Sequence, residues 1–111
     1  MKLEDCTKEE LIWYIKTQVS YDERELLFCV LMRRSGEVSK SAAQADEEAC
    51  KALERYAEAL RPYEGCGYMD VPDKVIIRAN RAFKEFEKHS AIANRYHRQY
   101  EHFQKQIDKL L

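Results

Sequence analysis

The chain has 111 residues, 35% of them charged and 45% hydrophobic, with a formal net charge of −1. That length and balance fit one helical domain with a thin core and exclude disorder. Three glycines and two prolines are too few for the tight turns of an all-β fold, and so small a net charge exerts no global pull on nucleic acid or membrane.

The N-terminal stretch Met1–Lys16 carries acids where a secretory signal would have a basic start and an apolar run. Within it, Thr7 followed by Glu10 reads as a capping box, each side chain satisfying an orphan backbone N–H. Leu11, Ile12, Tyr14, Ile15 and Val19 then follow at helical spacing. The first helix is therefore expected at about residues 8–18.

Ser20 with Glu23 repeats the capping signature and opens a second helix, expected at about 21–61. An apolar seven-residue repeat fills it: Tyr21, Phe28, Ser35, Ala42, Ala49 and Tyr56 at one position, Arg24, Leu31, Val38, Ala45, Ala52 and Ala59 at the other. Gly36, after Arg33 and Arg34, also reads as a helix terminator. The repeat keeps its phase across that glycine, which favours one helix, roughly 60 Å long at 1.5 Å per residue. A glycine inside a helix costs only about 1 kcal/mol.

Residues 62–70 form the one clear loop, around Gly65-Cys66-Gly67. Asp70 is the expected N-cap of a final helix at about 71–110, with Pro72 in its first turn. There the repeat continues as Ala79, Phe86, Ala93, Tyr100 and Ile107, beside Val75, Ala82, His89, Tyr96, Phe103 and Leu110. The expectation is a single all-α domain over residues 1–111, a long antiparallel, coiled-coil-like helical hairpin. Its N-terminal helix would cover the apolar stretch Leu26–Met32 with Leu11, Ile12, Trp13 and Ile15, making a three-helix bundle at one end. That stretch is far short of the roughly 20 residues that span a bilayer. Hairpin geometry sets residue i opposite roughly 132 − i, so Ala42, Ala45, Ala49 and Ala52 would face Phe83 and Phe86. A pairing this thin is commonly completed by self-association, and a homodimer is expected.

Cys6, Cys29, Cys50 and Cys66 are scattered and form no CxxC pair, so they read as free thiols in a reducing cytoplasm. His89, His97 and His102 lack the i, i+3 or i, i+4 spacing of helical metal sites. No GxSxG, glycine-rich phosphate loop or HExxH is present. No metal, cofactor or catalytic residue is expected, and the chain reads as no enzyme.

Two surfaces remain. Tyr63, Tyr68 and Met69 surround the loop apex and are residue types favoured in protein interfaces, although the tyrosines could equally cap the end of the seam. Along the last helix Lys74, Arg81, Lys88 and Arg95 recur every seven residues, with Arg98 beside them. This stripe could track a phosphate backbone, although Asp73, Glu87, Glu101 and Asp108 lie alongside and a solvated face is the simpler reading.

The opening Met1-Lys2-Leu3-Glu4-Asp5-Cys6-Thr7-Lys8-Glu9-Glu10-Leu11-Ile12-Trp13 resembles small helical proteins of bacterial phages and other mobile elements. Arg61-Pro62-Tyr63-Glu64-Gly65 and the Asp-Val-Pro at 70–72 are similar to loops of the same group. The resemblance implies a bacterial cytoplasmic origin and action by binding a partner, for which a phage-type inhibitor of a host defence protein is one concrete form. It brings no activity or site residues with it. The leading expectation is thus a protein-interaction module, with nucleic-acid or nucleotide binding along the basic stripe as the alternative.

Overall fold

The computed structural model describes residues 1–17 and 22–111, apart from the side chain of Tyr68. Every regular element among them is helical: α1 (Lys8–Thr17), α2 (Glu23–Leu60) and α3 (Asp73–Leu110), with single 3-10 turns at Leu3–Asp5, Arg61–Tyr63 and Tyr68–Asp70. The fold is all-α, with the two long helices packed against each other.

The helix ends follow from local hydrogen bonding. Thr7 N–H donates to Glu10 Oε1 at 2.9 Å and Glu10 N–H to Thr7 Oγ1 at 3.1 Å, which is the expected capping box. The cap read at Ser20 and the helix start read at residue 21 lie outside the described residues. The described helix opens at Glu23, where Asp22 Oδ1 accepts from the amides of Arg24 (2.9 Å) and Glu25 (3.2 Å). An aspartate there also complements the positive end of the helix dipole. α2 runs through Gly36 without a break, because buried Leu31 and Ser35 and half-buried Val38 anchor it on both sides.

The start of α3 corrects the expectation. Asp70 does not cap it; the Asp70 N–H bonds to the Gly67 carbonyl at 3.0 Å and closes a separate turn. The Pro72 carbonyl instead accepts from Val75 at 3.0 Å and Ile76 at 3.1 Å, so the helix begins two residues later than expected. Gly65 holds φ +80°, a conformation that a side chain disfavours, and lies where the chain reverses.

The chain divides into two compact units, Met1–Lys40 with Tyr96–Leu111, and Ser41–Arg95. In the first, Tyr14 of α1 and Leu26, Leu27 and Val30 of α2 form the core, with Leu3, Leu11, Trp13 and, from α3, Leu110 packed against it. Tyr14 is the inward residue of α1, whereas Ile12 and Ile15, expected to cover α2, are exposed. Polar contacts fasten α1. Arg34 grips both carboxylate oxygens of Glu10, with Nε at 2.6 Å from Oε2, and donates to the Asp5 carbonyl at 3.0 Å. The Arg33 guanidinium lies 4.8 Å above the Trp13 ring. Arg24 donates to the Leu110 carbonyl at the end of α3.

In the second unit, α2 contributes buried Ala42, Ala45, Ala49 and Ala52, and α3 contributes Val75, Ala79, Ala82 and Ala93. These are the seam positions of the seven-residue repeat, but the pairing differs from the expected one. Tyr56 and Phe83 stack with centroids 5.3 Å apart, and Phe83 lies 5.8 Å from Phe86. The Tyr56–Phe83 numbers total 139, which places residue i near 139 − i, one heptad from the expectation. At that register Ala45, Ala49 and Ala52 lie opposite about residues 94, 90 and 87, a stretch in which Ala93 is buried, and small seam residues let the backbones approach closely. Phe83 stands 37% exposed beside the seam rather than filling it. A whole-heptad displacement returns every seam residue to the same face, so periodicity cannot detect it.

Candidate interaction surfaces

The loop and the stripe residues Lys74, Arg81, Lys88 and Arg95 lie within the second unit, and Arg98 within the first. At the loop, Met69 is 92% exposed and Tyr63 is half-buried, while the Tyr68 side chain lies outside the described part. Met69 and Val71 line a shallow notch of about 290 Å³ with Asp73, Ile76 and Ile77. The notch exists because α3 starts at Asp73, which puts the Ile76-Ile77 pair in its first turns next to the loop.

Seven residues beyond Ile76, two turns further on the same face, stands Phe83. Its ring meets Tyr56 of α2, with half-buried Phe86 behind it and Leu53 42% exposed one turn from Tyr56. Met69, Ile77, Leu53 and Phe83 thus leave large apolar groups in water on one unit. Of these, Met69 was expected at the loop surface, whereas Phe83 was expected within the seam. Leu53 and Phe83 each follow a seam alanine, Ala52 and Ala82, by one residue, so they flank the seam. That position became informative only once the register was known.

On the other side of the seam, helical spacing collects a different set. Arg55, Glu58 and Ala59 of α2 and Arg78, Arg81, Ala82 and Glu85 of α3 line a groove of about 460 Å³. Among the described residues none of the three arginines makes an ion pair, and Glu85 lies 3.5 Å from His89 Nε2. Of the stripe read from the sequence, Arg81 lines this groove. Lys74, Lys88, Arg95 and Arg98 are exposed but do not line it. Arg55 and Arg78 escaped the sequence reading because they lie on different helices and meet only in the observed register.

The four cysteines are free. Burial pushes the half-buried Cys6 and Cys29 thiols upward, with Glu10 and Glu25 respectively adding to the effect, so both are held protonated. Among the described residues no helix is long and apolar enough to cross a membrane. No protein-family model, curated protein or solved structure matches the chain.

Proposed function

We propose that the chain is a non-enzymatic protein-interaction module whose second unit binds a protein partner through the apolar surface running from the loop to Phe83. The observation that carries this reading is the apolar notch at the loop, where Met69 at 92% and Ile77 at 59% exposure stand together, with Leu53 at 42% and Phe83 at 37% exposed further along the same unit. Holding such groups in water is costly unless a partner covers them, and clustered exposed apolar side chains mark interaction sites. Methionine and aromatic rings adapt to a partner's shape, as interface centres require. The resemblance of the N-terminal residues to mobile-element proteins suits a host protein as partner, and the homodimer belongs to the same proposal as a second use of the surface.

The test is comparative. A partner captured by the full chain is purified and titrated against the wild type and against Met69→Asp with Ile77→Asp, two exposed positions whose change leaves the helices intact. Binding weakened at least tenfold with unchanged circular dichroism supports the module. Equal binding by the variant refutes this surface, and a mass in solution that halves in the variant identifies the second copy as occupant.

A further inference from the structure

The opposite groove carries a second, independent inference. We propose that Arg55, Arg78 and Arg81 form a binding site for a compact polyphosphate, either free or as the phosphate chain of a nucleotide.

Three features point to that ligand. Arg78 and Arg81 stand three residues apart on one helical face, where side chains are neighbours, and Arg55 joins them from α2. Like charges so placed repel, and among the described residues no ion pair relieves them, although Glu58 and Glu85 line the same groove. A bound anion would supply the missing compensation. The guanidinium fork then matches phosphate oxygens two at a time. Finally, half-buried Ala59 and buried Ala82 line the groove with small side chains, leaving its roughly 460 Å³ open, a volume within the range of small-molecule sites.

Spacing separates this ligand from an extended nucleic-acid strand. Stripe residues Lys74, Arg81, Lys88 and Arg95 are seven residues apart, about 10 Å along the helix axis at 1.5 Å per residue. That is about a Debye length at physiological salt, so they act nearly independently.

Calorimetric titration of the full chain with tripolyphosphate, ATP and a 20-nucleotide single strand, at matched ionic strength, tests the assignment. The expected result is saturable tripolyphosphate binding, weakened at least tenfold by Arg78→Gln with Arg81→Gln and separately by Arg55→Gln. Lys88→Gln with Arg95→Gln should leave it unchanged. ATP binding more tightly than tripolyphosphate identifies the nucleotide form, and weaker binding identifies the free chain. No saturable binding of either, equal binding by the groove variants, or oligonucleotide binding lost in the Lys88/Arg95 variant instead would overturn the proposal. Circular dichroism of each variant verifies that the helices persist. The apolar surface takes no part in this site, so the two proposals stand or fall separately.

Discussion

The side-chain amide of Gln104 on α3 donates to the hydroxyl of Ser35 on α2 across 2.8 Å, and Ser35 is buried. The two residue numbers total 139, the same register that Tyr56 and Phe83 mark in the other unit. A buried polar pair discriminates between registers, because any slip strands one partner without a hydrogen bond. Gln104→Leu should therefore cost about 1–3 kcal/mol by orphaning the Ser35 hydroxyl. Replacing both by apolar residues (Ser35→Ala with Gln104→Leu) should cost less than that single change. Urea unfolding of the three variants checks both statements, and a double variant worse than Gln104→Leu would contradict them.

Gly36 lies exposed inside α2, and a Cβ added there meets nothing within 4 Å. Gly36→Ala should stabilise the chain by about 0.5–1 kcal/mol, through fewer unfolded conformations and better helix propensity. A raised thermal midpoint is the expected reading, and a lowered one would mean that the helix needs the glycine.

How much of this could be read in advance depends on what each signal encodes. The seven-residue period located the seam, since Leu31, Ala42, Ala49, Ala52, Ala79, Ala82, Ala93 and Ile107 are all buried. The Thr7–Glu10 box located the start of α1 because its donors and acceptors are local. Register was invisible for the opposite reason: displacement by seven residues changes partners without changing faces. Everything built on partners was lost with it, including the neighbours of Phe83 and the meeting of Arg55 with Arg78 and Arg81. Asp22 went unrecognised as a cap because Ser20 and Glu23 offered a familiar spacing beside it. Met69 was legible because a methionine next to glycines in a loop has little to pack against.

Acid should weaken the attachment of α1. The Arg34 guanidinium, hydrogen-bonded to Glu10, holds that carboxyl below its ordinary value, and the Thr7 N–H adds to the effect while burial opposes it. The unfolded chain thus takes up its proton at higher pH than the folded one. The contribution is complete above the ordinary glutamate range and is lost as pH falls through the lowered value. Glu10→Gln should cost about 1–3 kcal/mol at pH 7, since a charged hydrogen-bonding partner is removed from largely buried Arg34 contacts. Its deficit should shrink toward pH 3. Denaturation midpoints for wild type and variant at both pH values give the comparison, and a deficit independent of pH would exclude the ion pair as its source.

The alanine seam makes an asymmetric prediction about size. Ala49 is buried, so Ala49→Leu should overpack the seam and cost about 1–3 kcal/mol. Phe86 is only half-buried beside Phe83, so Phe86→Ala should cost roughly 2 kcal/mol, below the range of about 3–5 for a fully buried ring. Had the phenylalanines filled the alanine stretch, Phe86→Ala would instead cost about 3–5 kcal/mol, which urea unfolding of the variant would show.

Both surfaces depend on which residues of α2 meet which residues of α3. Site-directed crosslinking measures this directly, in a chain whose four native cysteines are replaced by serine. Ala45→Cys with Ala93→Cys matches the observed register, whereas Ala49→Cys with Ala82→Cys matches one displaced by a heptad. Rapid disulfide formation in the first pair and little in the second is the expected result. Rapid formation in the second pair alone would contradict the register, and with it both surfaces that the register assembles.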